Sequence, residues 1–165
     1  MLRALQFAAI VLGALALAPG VAHLAALPNK IVLDRDAYFI AQSAYRGWAL
    51  FGVAIIAALL VNIMLAVLLR RQALSCALAA VAALCLAATL GVFFAWTQPA
   101  NAATANWTQM PENWMALRAA WEYSHAASAL LMLLALCATT AATLTTSLPH
   151  RPAQAGPAAN RASRR

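Results

Sequence analysis

The chain has 165 residues, 65% of them hydrophobic and 9% charged, with a mean hydropathy of +0.77 and a formal net charge of +7. A soluble domain of this length needs more polar surface. The basic excess does not point to nucleic acid: Arg3, Arg70, Arg71, Arg151, Arg161, Arg164 and Arg165 flank the apolar runs at their ends and form no stripe along one face.

Crossing a bilayer takes about 20 predominantly apolar residues. Four runs meet that length, Leu5–Leu27, Trp48–Leu69, Leu74–Trp96 and Trp121–Ser147. They predict an all-α fold, a bundle of four transmembrane helices over residues 1–148 with two long connectors, followed by a Pro-, Ala- and Arg-rich tail over 149–165 whose composition predicts disorder. Four crossings put both termini on one side with the Arg70-Arg71 turn. That side carries seven of the eleven basic residues and no acid, while the other holds Lys30, Arg35, Arg46 and Arg118 with all four acidic residues. Basic residues near spans stay cytoplasmic. Both termini are therefore expected inside and both connectors outside, in an integral membrane protein. The Ala/Arg bias points to a bacterial inner membrane. Membrane lipid is the expected surrounding, the basic inner face suits anionic headgroups, and a homo-oligomer stays open.

The first run resembles a signal peptide at Met1-Leu2-Arg3, but it is longer than a usual apolar signal core and is expected to remain as a helix. It carries Pro19, which predicts a kink, and ends near His23, with Pro28 and Asn29 closing it. The first connector, 28–47, is expected to hold a short surface helix over Ala37–Trp48, since Tyr38, Gln42 and Tyr45 recur at helical spacing. Helix two contains Asn62, an interior amide expected to bond another helix. The Arg70-Arg71-Gln72 link makes helices two and three antiparallel neighbours. Helix three is alanine-rich and is expected to end at Trp96. The second connector, 97–120, leads to a last helix expected from Pro111, a residue suited to a first helical turn, through Ser147. Pro28-Asn29 and Pro99-Ala100-Asn101 each open a connector that closes near an Arg and a Trp, a faint echo suggestive of two related hairpins. Cys76, Cys85 and Cys137 fall within spans without metal-ligand spacing and read as small buried hydrophobes. Asn106-Trp107-Thr108 fits a glycosylation pattern, without meaning in a bacterium.

Every tryptophan and tyrosine lies in or beside the two connectors. Trp114, Arg118, Trp121, Glu122 and His125 form the strongest constellation. Residues three, four and seven apart share a helix face, so Arg118, Glu122 and His125 should form one stripe, with Arg118 pairing to Glu122. Intramembrane ionisable groups are costly and mark functional sites. The bland reading is an interfacial anchor of Arg and Trp at headgroup level. His23 and His125 should lie at similar depth and can face each other. One Glu-x-x-His does not supply the ligands of a di-metal bundle site, which needs two copies and two further glutamates. No metal residues are assigned and no cofactor is predicted. A mononuclear site from His23, His125 and Glu122 stays open, as does a haem held by two histidines. His150 carries no signal.

The pattern Pro99-x-Asn101, Trp107, Pro111, Asn113-Trp114, Arg118, Trp121 and His125, together with His23, Pro28-Asn29-Lys30 and Tyr45-Arg46-Gly47-Trp48, resembles the anthrone-oxygenase-like superfamily of small four-helix membrane proteins. The position after the histidine that is often basic there is Ala127 or Ser128 here. The resemblance implies oxidation of a polycyclic phenol to a quinone by molecular oxygen. On that reading a quinone- or phenol-like ligand enters an aromatic pocket at the outer end. His125 serves as base, Glu122 orients it, and Arg118, Asn29 or Asn101 stabilises the oxyanion. His23, Tyr45, Trp48, Trp114 and Trp121 complete the site. The alternative is a non-catalytic membrane partner or accessory subunit in which the same cluster docks another protein.

Overall fold

The computed structural model describes residues 1–146, and the predicted tail and the last expected helical residue, Ser147, lie outside them. Among the described residues every regular element is helical: α1 (Leu2–Lys30), α2 (Arg35–Gln42), α3 (Phe51–Leu68), α4 (Ala73–Val92), a π-helical turn (Phe93–Thr97), α5 (Gln98–Ala103) and α6 (Trp114–Thr145). Four helices are long and apolar enough to cross a membrane, Leu2–Lys30, Trp48–Leu68, Ala73–Ala103 and Trp114–Thr145. The chain is an all-α bundle of four such spans. α1 packs on α3, α3 on α4, α4 on α6 and α6 back on α1, so the four close into a square.

Small residues let the backbones approach. Ala9, Ala16, Ala58, Ala79, Ala82 and Ala135 are all within 2% of complete burial, and small side chains at interfaces are how membrane helices gain van der Waals contact without a hydrophobic driving force. Gly20 of α1 is the tightest point, since a Cβ there would stand 2.8 Å from the Met132 methyl and 3.3 Å from the Ala129 backbone. At the end where α1 begins and α6 finishes, hydrogen bonds tie the helices. Asn62 accepts from Thr139 at 2.8 Å, Gln6 donates to Thr146 at 3.0 Å, and the Ser75 and Thr145 hydroxyls meet at 3.1 Å. Asn62 thus bonds another helix, as its position in an apolar run predicts.

Four boundaries differ from the sequence expectation, each for a local reason. α1 runs through Pro28 and Asn29 to Lys30. A proline interrupts only its own ladder bond, and Ile31 N–H still donates to Leu27 O at 2.9 Å. The third span continues past Trp96 because the Phe93–Thr97 π turn, with Gln98 N–H donating to Phe93 O, resets the register so that Pro99 falls in the first turn of α5. α6 starts at Trp114, with Pro111 in the preceding turn whose Trp114 N–H donates to Pro111 O at 3.1 Å. The surface helix starts two residues early, where the Asp34 carboxylate caps it by accepting from Ala37 N–H at 2.8 Å. It ends at Gln42, followed by 3₁₀ turns on either side of Gly47. Gly47 has φ 87°, a conformation that ends a helix and favours glycine.

Candidate functional site

The connectors fold over the end of the bundle away from the termini. Tyr38 and Phe39 of α2 pack with Trp107 and Trp121, with Ala100 at the centre and Trp114 alongside. Trp107 is reached through three successive left-handed residues, Ala105 (φ 46°), Asn106 (φ 56°) and Trp107 (φ 64°). Such a run is rare for residues with a Cβ, costs of order 1–3 kcal/mol each, and persists where the surroundings over-determine it. Here the determinants are visible. Asn106 N–H donates to Asn101 O at 2.7 Å, Trp107 N–H to the Thr104 hydroxyl at 3.0 Å, and the Trp107 indole to Asn101 Oδ1 at 3.1 Å.

Beneath this lid lies a buried ion pair. Lys30 Nζ stands 2.8 Å from Glu122 Oε1, with the two side chains 6% and 0% exposed. The Tyr38 hydroxyl donates to the same oxygen at 3.0 Å and itself accepts from Gln42 Nε2. Burial, reinforced by the Glu122 carboxylate, pushes the Tyr38 phenol above its usual range, so it stays a donor. The Lys30 ammonium also faces the rings of Tyr45 at 4.6 Å and Trp121 at 4.9 Å. It was drawn there by the extra turn of α1.

This arrangement corrects the expected roles of two residues. Glu122 pairs with Lys30 and Tyr38, not with Arg118 one turn away, because the two offer a charge and a hydrogen bond together. Arg118 Nη1 donates to Leu33 O at 2.8 Å, and its guanidinium stacks over Trp114 at 4.6 Å, fastening the first connector. Nor does Glu122 orient His125: the His125 Nδ1 lies 2.9 Å from Trp121 O on its own helix.

Below the ion pair a cavity of about 890 Å³ opens among all four spans. His23 and His125 meet on its wall with ring centroids 4.3 Å apart. His23 is also packed on Tyr45 at 4.3 Å, Trp121 at 4.9 Å and Trp48 at 5.4 Å. Its Nδ1 is buried without a hydrogen-bond partner among the described residues. For His125 the tautomer follows from geometry. A carbonyl oxygen can only accept, so the neutral ring carries its hydrogen on Nδ1 and leaves the lone pair on Nε2. Asn101, also on the wall, has its Oδ1 fixed by two indole donors, Trp121 at 2.9 Å and Trp107 at 3.1 Å.

The structure therefore brings His23, Tyr45, Trp48, Asn101, Trp121 and His125 to one cavity. It sets Glu122 behind the Trp121 and Tyr45 wall, and Arg118 and Trp114 in the lid. Asn29 is exposed and not part of the cavity. Three contributors escaped the sequence reading. Lys30 was counted as an outer charge and as part of the Pro28-Asn29-Lys30 motif, not as a partner of Glu122. Gln42 was noted only for its spacing, and Thr97, whose hydroxyl meets Ser124 at 2.8 Å on the cavity side, was placed in a loop. The available signal was that Lys30 directly follows the closing Pro28-Asn29 of an otherwise uncharged apolar run. No group of three or more His, Cys, Asp or Glu side chains among the described residues is placed to hold a metal ion, since Glu122 is turned away from the histidines. No protein-family model, curated protein or solved structure matches the chain.

Proposed function

We propose that this protein binds a small, flat aromatic molecule of the quinone or phenol class against the His23–His125 pair, and that His125 acts on it as a general base in a cofactor-independent oxygenation. The observation that carries the reading is the meeting of the two imidazoles, 4.3 Å apart, in a cavity walled by Tyr45, Trp48 and Trp121. Indole and phenol faces favour stacked flat rings. The volume of about 890 Å³ lies within the range of small-molecule sites. His125 Nε2, with its lone pair available, suits proton removal, a step worth about 10²–10⁴ in rate. The Trp121 carbonyl takes the orienting part that Glu122 was expected to play. Asn101, its oxygen already committed, has its NH₂ as the donor for a developing oxyanion.

The resemblance to anthrone-oxygenase-like proteins supplies the substrate class. In such a reaction the ring methylene loses a proton to the base, and the resulting anion is oxidised by O₂. The carbon loses two hydrogens and gains one oxygen as a carbonyl, while the second oxygen leaves with both hydrogens as water. The four electrons lost by carbon are those taken up by O₂. The positive-inside distribution of arginines supports cytoplasmic termini and a cavity at the outer face, and the Ala/Arg bias supports a bacterial inner membrane.

The test is oxygen uptake and quinone absorbance with 1,8-dihydroxy-9-anthrone in nanodiscs. The wild type is expected to convert it faster than protein-free discs, and His125→Ala to lose at least about 10² of that acceleration with an unchanged melting temperature. Conversion no faster than in empty discs, or equal in the two proteins, overturns the oxygenation.

A further inference from the structure

The cavity is not one kind of surface throughout. Its upper part carries the histidines, Gln42, Asn101 and the indoles, whereas further down it is walled mainly by Pro19, Ile55, Ile56, Leu90, Phe93 and Met132, with the Thr89 and Ser128 hydroxyls as polar exceptions. From Trp121 to Met132 the wall follows α6 for eleven residues, about 16 Å of helix. A flat phenol or quinone head fills only the upper part of that length. The lower part also reaches the outside of the bundle. Ile56 of α3 and Phe94 of the π turn line the cavity and yet are 49% and 66% exposed. Both lie within candidate membrane spans, where the surroundings of a spanning helix are hydrocarbon. Gly52, one helical turn above Ile56, adds no side chain to this side, and a Cβ there would meet nothing within 4 Å.

We infer that the ligand is an amphiphile: a quinone- or phenol-type head at the His23–His125 pair carrying an aliphatic or prenyl tail that leaves between α3 and the π turn of α4 into the bilayer. This rests on the proposed head-group site. It adds the class of tail and the route. A tail in that slot exchanges lipid for isoleucine, leucine and phenylalanine side chains, so it enters without desolvation, while the polar head avoids crossing the lid. The Phe93–Thr97 π turn contributes Phe93, Phe94 and Thr97 to this wall, in keeping with the use of π turns at functional sites.

The test compares two quinones with one head, 2,3-dimethoxy-5-methyl-1,4-benzoquinone and its 6-decyl analogue. Saturable quenching of tryptophan fluorescence is measured in nanodiscs and corrected for partition into lipid. Both are expected to bind the wild type. Gly52→Phe, which fills the slot from an unhindered position, should weaken the decyl quinone by about tenfold or more and leave the tail-less one within about twofold. Equal changes for the two ligands overturn the side exit. So does a wild type that binds the tail-less quinone and rejects the decyl one. If neither quinone binds saturably, the head-group site itself fails, and the tail with it.

Discussion

The two ends of the bundle treat polar groups in opposite ways. At the end with the termini, Gln6, Asn62, Ser75, Thr139 and Thr146 are buried and hydrogen-bonded, and the space between helices is filled by alanine and leucine. At the other end, His23 Nδ1, Gln42 Oε1, Arg118 Nε and Glu122 Oε2 are buried without a hydrogen-bond partner among the described residues, and the helices part around a cavity. An unpaired buried polar atom costs about 1–3 kcal/mol. That contrast supports the proposed division, packing at the first end and a ligand at the second.

Variants at the two ends should separate these roles. The largest effect belongs to the buried ion pair. Glu122→Leu leaves Lys30 desolvated and unpaired, and should cost about 3–5 kcal/mol in unfolding measured in detergent. Adding Lys30→Met should restore most of it. Next is the α1–α6 contact. Gly20→Ala forces its Cβ against Met132 and Ala129 and should cost about 1–3 kcal/mol, seen as a lower melting temperature. At the packed end, Thr139→Val removes one bond to Asn62 and should cost about 1 kcal/mol, within the range for side-chain bonds between membrane helices. The smallest change is expected at the histidine pair. His23→Gln and His125→Gln keep most of the side-chain bulk and close no interhelical hydrogen bond, so they should shift stability by less than about 1 kcal/mol, while each removes quinone binding. A large loss of stability in either histidine variant would make the pair a structural contact and erase the contrast between the ends.

Much of this was legible in the residues. Apolar run length gave the four helices, because hydrocarbon thickness admits few alternatives. The grouping of Trp121, Glu122 and His125 on one helix pointed to the end of the bundle that holds the cavity. The depth match of His23 and His125 followed from each lying near the outer end of its span. What failed was partner choice. Helical spacing nominates Arg118 for Glu122, but it cannot weigh that contact against Lys30 and Tyr38, which arrive from 92 and 84 residues away in sequence. Proline was read as a stop at Pro28 and Pro99, whereas a membrane helix can continue past one, here with a π turn before Pro99. The left-handed run at Ala105–Trp107 had little signal, since none of the three is glycine, only Asn106 is a type that favours that region, and the hydrogen bonds to Asn101 and Thr104 that hold it form only in the folded loop.

The central claim is that His23 of the first span and His125 of the last face one another inside the bundle. Cysteines placed at positions 23 and 125, with Cys76, Cys85 and Cys137 replaced by alanine, can be treated in membranes with ortho-phenylene dimaleimide and read by peptide mass spectrometry. The account predicts an intramolecular bridge joining the two peptides, suppressed when the decyl quinone is present. Two thiols that react only singly, or that are reached from opposite faces of the membrane, would contradict it.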